Sequence, residues 1–411
     1  MLDIRALFLL KACAMEPSVL LNAITALARD EPDSGIVKAA MYGFDKPGVI
    51  PLWSGEGNVP TPELFARPAI ASLLKGETFY TWQRGIPELR EALARYHARQ
   101  FGRAFSSENF FVTSGGMQAI QTVIQMIAGE GDEIIIPTPA WPNYAGPLRV
   151  QGSRPVEVAM EFRNGCWVLD LDRLFAAMTP RTKAIALNSP SNPVGWTAAR
   201  DELIAIRDAC RKRGIWILGD EVYSRFYYGG PNETRAPSFL DICDDEEMVL
   251  LANTFSKNWA MTGWRVGWLQ APKVLGPAIE RIIQYNSSGT PAFLQRGCVA
   301  ALDHGDDFLA GQVAKARANR DLVARHLSAM PQIRFELPRG AFYLFFAIDG
   351  MTDSTRTTLR IIDEAGVGFA PGATFGPGGE GHLRMCFLRD PAKIEEAMQR
   401  FARWLKTARP D

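Results

Sequence analysis

The stretch KAIALNSPSNPVGWTAARDELIAIRDACRKRGIWILGDEVY, Lys183 to Tyr223, decides the fold. Lys183 to Leu187 reads as a strand that ends at Asn188. Arg200 to Arg213 reads as a helix, and Ile215 to Leu218 as a second strand ending at Gly219-Asp220. The pattern extends outward from there. Phe110-Phe111-Val112 reads as a strand and Gln118 to Ala128 as the helix after it. Glu133 to Ile136 is a strand ending at Pro137, and Met248 to Ala252 another, followed by Asn253-Thr254. Short apolar runs separated by helices predict an α/β fold with a mostly parallel sheet covered on both faces. Pro277 to Tyr285 and Asp307 to Ala329 read as helical connectors to a second lobe. Ile333 to Asp349 and a helix over Ala392 to Lys406 would form that lobe, joined by the N-terminal segment.

Composition narrows the classes. With 411 residues, 47% of them hydrophobic, the chain can bury one large core and a smaller one. Lys+Arg and Asp+Glu are both 45, so the basic excess of a nucleic-acid binder is absent. The six cysteines are scattered and read as reduced thiols of a cytoplasmic protein. Near the N-terminus Ala6 to Leu10 is apolar, but Lys11 ends the run and Asp3 precedes it. A docking helix is expected there rather than a signal peptide. No stretch approaches the roughly 20 apolar residues of a membrane span. His97, His304, His326 and His382 are far apart, so no metal site is expected. Gly376 to Gly381 matches a dinucleotide fingerprint formally, but a strand-like run, Leu383 to Phe387, follows it where a helix is needed.

In open parallel sheets ligands bind beyond the carboxyl ends of the strands, so the residues just after each strand are the ones to read. Thr113-Ser114-Gly115-Gly116-Met117 opens a helix, and its glycines and free N–H groups suit a phosphate or an ordinary turn. In Thr254-Phe255-Ser256-Lys257 a lysine follows a buried strand, flanked by hydroxyls, with Arg265 shortly after. Thr254 and Arg265 suit a phosphate, and a lysine of lowered pKa suits Schiff-base chemistry. Asp220, after the most hydrophobic strand, needs a cation or donor, for which a protonated pyridine nitrogen would serve. Tyr223 and Asn192 can donate to a phenolate oxygen, and Trp141 offers a flat face for stacking.

Together with SGEGNVPTP from Ser54, YTWQRGIPELREAL from Tyr80, TSGGMQAI from Thr113, NSPSNPVG from Asn188, DEVY from Asp220, TFSKNWAMTGWRVGW from Thr254, PRGAFYLF from Pro338, PGATFG from Pro371 and HLRMCF ending at Phe387, the chain resembles the class I and II aminotransferases, fold-type I pyridoxal-phosphate enzymes. The motifs run in the family's order over nearly the whole chain. The resemblance implies a seven-stranded, mostly parallel sheet in a three-layer α/β/α large domain over 61–300. It implies a smaller α+β domain built from 1–60 and 301–411. It also implies amino transfer from an L-amino acid to a 2-oxo acid on pyridoxal 5′-phosphate, in a homodimer with shared sites.

The roles it implies are specific. Lys257 would carry the cofactor as a Schiff base and shuttle the proton. Asp220 would keep the pyridine nitrogen protonated, and Tyr223 and Asn192 would bind the ring oxygen. Gly115, Gly116, Met117, Thr254 and Arg265 would hold the phosphate, and Tyr80 would reach the neighbouring subunit's phosphate. Trp141 would stack on the ring, Arg384 would fork the substrate α-carboxylate, and Gly55 would close over it.

The chain departs from the family where many relatives have Glu-Pro and it has Glu56-Gly57, and at Trp82-Gln83-Arg84 after Tyr80. Met117 stands where an aspartate-preferring branch often has lysine, and Gln284 to Ser288 lacks the arginine of another branch. Arg84 is the nearest candidate substitute for a side-chain carboxylate reader. The expected donor is therefore apolar, aromatic or uncharged polar. An aspartate-type aminotransferase, and a lyase, decarboxylase or cyclase on the same cofactor, are the alternatives. A ligand-binding regulator is disfavoured, because too few residues precede Ser54 for a DNA-binding domain.

Overall fold

The helix Arg200–Arg213 forms over the expected residues, and its ends show why. Asp201 and Glu202 sit in the first turn and Arg211, Lys212 and Arg213 in the last, complementing the helix dipole. The Glu202 carboxylate accepts from the Ala199 backbone N–H at 2.7 Å, and Gly214 ends the helix with φ 64°. The structure, a computed structural model, describes residues 17–230, 233–408 and 410–411. The N-terminal apolar run lies outside them.

Seven strands make one sheet: β1 (Phe110–Thr113), β2 (Glu133–Thr138), β3 (Arg154–Ala159), β4 (Thr182–Asn188), β5 (Trp216–Asp220), β6 (Val249–Thr254) and β7 (Gly267–Gln270). Their order across the sheet is β1-β7-β6-β5-β4-β2-β3. All neighbours pair parallel except β7, which runs antiparallel between β1 and β6. Successive side chains enter two different cores. Ile135, Ile185, Ile217 and Leu251 face the side covered by Arg200–Arg213, while Ile134, Ala184, Leu218 and Leu250 face the other. That is why these strands read as continuous apolar runs and not as alternating ones.

Several strands run further than the sequence suggests, among them β6, which continues to Thr254. β5 continues to Asp220. β2 passes through Pro137 to Thr138, where β3 still pairs but the register with β4 has ended at Ile135, so proline is tolerated. One connector expectation is corrected: the helix Gly276–Asn286 covers the sheet. Its Ile279 and Ile283 lie one turn apart and bury against the cluster of Phe111 and Leu269. Three further helices, Glu63–Leu74, Pro87–Phe101 and Ala292–His304, share a separate core with Phe65, Leu93 and Cys298.

The 23-residue helix Asp306–Ser328 leads to a second, antiparallel sheet. Its strands are β8 (Ile333–Phe335), β9 (Tyr343–Ile348), β10 (Ala370–Pro371) and β11 (His382–Cys386), in the order β8-β9-β11-β10. The N-terminal segment joins here, as Ile50 pairs with Val367 and the Cys386 N–H donates to Leu52 O at 2.8 Å. The helix Pro391–Thr407 covers this sheet with Met398 and Phe401.

Candidate active site

The carboxyl ends of β1, β2, β4, β5 and β6 open on a cavity of about 440 Å³. Gly116 and Met117, Trp141, Asn192, Asp220 and Tyr223, and Thr254 and Lys257 line it from those strand ends. β7 contributes because it is antiparallel: its first residue, Gly267, lies level with Thr113 and Thr254, so the preceding Arg265 falls at the same edge. Arg384 enters from β11 and Gly55 from the N-terminal segment.

One end of the cavity is built for an anion. Gly115, with φ 83°, caps the helix Gly116–Ile127, whose first N–H groups face the opening. A Cβ on Gly115 would lie 2.5 Å from an Arg265 terminal nitrogen, and one on Gly267 would lie 2.7 Å from Gly115 C and Gly116 N. Backbone and guanidinium therefore approach as closely as they do only because these positions lack side chains. Arg265 donates to Thr262 O at 2.9 Å. Thr254 Oγ1 lies 2.9 Å from Ser256 Oγ and accepts from the Ser256 N–H at 3.1 Å. Ser256 also lines the cavity, a place that its position beside Lys257 in sequence does not by itself reveal.

Asp220 is buried. Its carboxylate accepts from the Tyr144 hydroxyl and, at 3.2 Å, from the Val222 N–H. Burial raises its pKa to about 6, and the Tyr144 hydrogen bond pulls it back down. The neighbouring Glu221 points away and accepts from Ser238 Oγ at 2.8 Å, so only the first acid of the pair reaches the cavity. Lys257 Nζ donates to Gly55 O at 2.6 Å, and burial lowers its pKa to about 8. A larger fraction of this amine is thus neutral, hence nucleophilic, near pH 7 than in an exposed lysine.

Arg384 is buried, donating to Asn192 Oδ1 at 2.9 Å and to Trp53 O, while its Nε has no hydrogen-bond partner among the described residues. No carboxylate pairs with it among those residues. A buried guanidinium without an anion is costly, and a substrate carboxylate would relieve that cost. Tyr223 is buried with its hydroxyl 2.7 Å from that of Tyr343, and the Arg384 guanidinium lies 4.7 Å from the Tyr343 ring centre. Gly55 passes directly over Tyr343: a Cβ there would sit 2.4 Å from the tyrosine oxygen.

Tyr144 and Tyr343 were not singled out from sequence. Tyr144 follows Trp141 by three residues in a loop with no regular period, and Tyr343 sits inside a fully apolar strand. Two predicted residues lie elsewhere. Tyr80 is 93% exposed, outside the cavity. The reading of Arg84 as a carboxylate reader is corrected. Its guanidinium pairs with Glu108 and Glu280 and lies over the Phe111 ring, so its charge is already satisfied. His382 stacks on Phe345, away from the cavity.

An anion cradle, a ring-sized apolar wall, a buried carboxylate, an amine of lowered pKa and an unpaired arginine fit pyridoxal phosphate together with an amino acid. Fold and site thus suit an enzyme of amine and carbonyl chemistry. The family described as "Aminotransferase class I and II" matches residues 49–401, and the chain belongs to it. The chain is 32% identical to an aspartate aminotransferase of Pyrococcus horikoshii, over 87% of this chain and 91% of that one. It is 33% identical to an arginine–pyruvate transaminase of Pseudomonas aeruginosa, over 86% and 89%. The solved aspartate aminotransferase from Thermus thermophilus with maleate superposes with a TM-score of 0.86 at 30% identity, covering 92% of this chain and 99% of that one. The chain is accordingly a pyridoxal-phosphate-dependent aminotransferase.

Proposed function

We propose that this aminotransferase takes L-amino acids with apolar, aromatic or uncharged polar side chains, and that the cavity residues divide the work as follows. Pyridoxal phosphate, when bound, supplies an aldehyde that condenses with amines and a ring that draws electrons from the substrate α-carbon. Lys257 would hold it covalently and, once displaced, would act as the base that takes the proton from the substrate α-carbon and returns it to the cofactor C4′ carbon beyond the amino nitrogen. Asp220 keeps the ring nitrogen protonated. Tyr223 and Asn192 bind the ring oxygen and Trp141 stacks on the ring. The Gly115–Met117 turn, Thr254 and Arg265 bind the phosphate. Arg384 holds the substrate carboxylate under Gly55, so that a single α-carbon bond is presented to the ring. The 61–300 segment would carry the cofactor, and 1–60 with 301–411 would form the smaller domain.

The observation that carries the donor class is the lining itself. Among the described residues around the cavity the cations are Lys257, Arg265 and Arg384, and each has a role at the cofactor or the α-carboxylate. Met117 and Ile120 add apolar surface to the lining, and Arg84 is held by two carboxylates. Relatives named aspartate aminotransferases favour the alternative donor. In single-turnover mixing of the loaded enzyme with one amino acid at a time, leucine, methionine or phenylalanine should react at least about tenfold faster than aspartate, the effect of burying one unpaired polar group. Aspartate reacting fastest would contradict the donor class.

The same reading makes the working unit a cytoplasmic homodimer. Leu74, Phe79, Tyr80 and Tyr285 are each more than 80% exposed, and Phe79 and Tyr80 share a groove with Ser287 to Phe293. So much exposed apolar surface suits a subunit interface, with Tyr80 reaching the partner's phosphate. Light scattering should give twice the chain mass; a monomer at micromolar concentration would rule out shared sites.

A further inference from the structure

The cavity has to serve two substrates in turn, because the amino group left by the first is collected by the second. We infer that the acceptor, like the donor, carries a single carboxylate: a monocarboxylic 2-oxo acid such as pyruvate or an aryl or alkyl analogue, and not a dicarboxylic one such as 2-oxoglutarate. The inference rests on the aminotransferase reading and extends it to the second half of the cycle.

The acceptor's α-carboxylate needs Arg384, so a second carboxylate would have to find its own partner at the side-chain end. The apolar part of the lining, where the side chain is accommodated in this reading, comprises Met117, Ile120 and, from the helix Gly35–Phe44, Ile36, Val37, Ala40 and Met41. Lys38 of the same helix is exposed and is not part of this lining. The Met117 sulfur accepts from the neutral Asn143 amide at 3.7 Å. Glu56 lines the cavity as well, accepting from Thr262 Oγ1 at 2.8 Å, and its negative charge opposes a second carboxylate. A dicarboxylate would thus give up water around a charge for which the described residues lining that part of the cavity offer no cation.

The exchange itself needs nothing further. The 2-oxo acid loses its carbonyl oxygen as water on condensation, gains the amino nitrogen and, at its α-carbon, the proton that Lys257 delivers. Water then releases the new amino acid, so the water consumed matches the water lost. The acceptor is reduced by the two electrons that the donor gave up, and no outside oxidant or reductant takes part.

Met117 is the residue that decides this preference. The test separates the half-reactions. The loaded protein is first converted to its amino form with an amino acid, and its change in absorbance establishes that amino transfer occurs. After removal of the donor, pyruvate, phenylpyruvate, 2-oxoglutarate and oxaloacetate are added singly at equal subsaturating concentration, and recovery of the starting spectrum is timed. Pyruvate or phenylpyruvate should recover it at least about tenfold faster than either dicarboxylate. Met117→Lys should move the 2-oxoglutarate-to-pyruvate rate ratio upward by about tenfold or more. Faster recovery with 2-oxoglutarate in the unmodified protein would overturn the inference while the first half-reaction still stood. An unchanged ratio in Met117→Lys would overturn the assignment to Met117. Failure of the donor step would instead count against the aminotransferase reading.

Discussion

Lys257→Ala is expected to lower turnover by about 10⁴-fold or more, since it removes both the covalent anchor and the group that moves the proton, and general acid–base catalysis alone is worth about 10²–10⁴. The loss should appear in kcat and not chiefly in KM, because Lys257 does not bind the substrate carboxylate in this account. The structure gives the reason this amine is suited to both tasks. Burial brings its pKa to about 8, so it is available as a base near neutral pH. Its partner in the structure is a backbone carbonyl, Gly55 O, and not a carboxylate that would hold the proton. Single-turnover spectra of the variant with an amino acid check the prediction. A fall of less than about tenfold would mean that another base carries the proton.

Asp220→Ala is expected to have the second largest effect. Removing one member of a buried ion pair costs about 3–5 kcal/mol, or about 10²–10⁴ in rate. Cofactor affinity should fall alongside the rate. Tyr144→Phe acts on the same carboxylate more gently, and the direction follows from the sign of its contribution. The Tyr144 hydrogen bond lowers the Asp220 pKa against the burial that raises it to about 6. Without that donor the pKa rises further, and the ionised form that catalysis requires is lost at a higher pH. The acid limb of the kcat/KM profile should therefore move to higher pH, with the rate above neutrality much less affected. A limb that stays in place, or moves to lower pH, would show that Tyr144 does not govern Asp220. The two variants together distinguish loss of the charge from loss of its tuning.

Much of this site could be read before any coordinates, for a physical reason. β4, β5 and β6 are buried on both faces, so they stand out as apolar runs, and a charged residue at such an end needs an explanation. That exposes Asp220 and Lys257. The Gly115–Gly116 turn is locally compatible with a phosphate or an ordinary turn, whereas Arg384 and Gly55 stand out only through the family motifs. What was not legible depends on pairing across the chain. Arg84 looked like a spare cation, yet its partners Glu108 and Glu280 lie 24 and 196 residues away in sequence. The four-residue strand β7 shows no period that reveals its direction, although its antiparallel course is what brings Arg265 beside the Gly115–Gly116 turn. Tyr144 and Tyr343 carry no local signal, because a hydroxyl's partner cannot be inferred from its neighbours in sequence. The helix Gly276–Asn286 reads as a connector in sequence because its apolar stripe does not say which surface it covers.

The central claim is that Lys257 carries pyridoxal phosphate. Its most direct test is borohydride reduction of the loaded protein, followed by digestion and mass measurement of the peptides. The account predicts added cofactor mass on the peptide containing Lys257 and none on the same peptide from Lys257→Ala. Cofactor mass on a different lysine, or no retained cofactor at saturating pyridoxal phosphate, would contradict it.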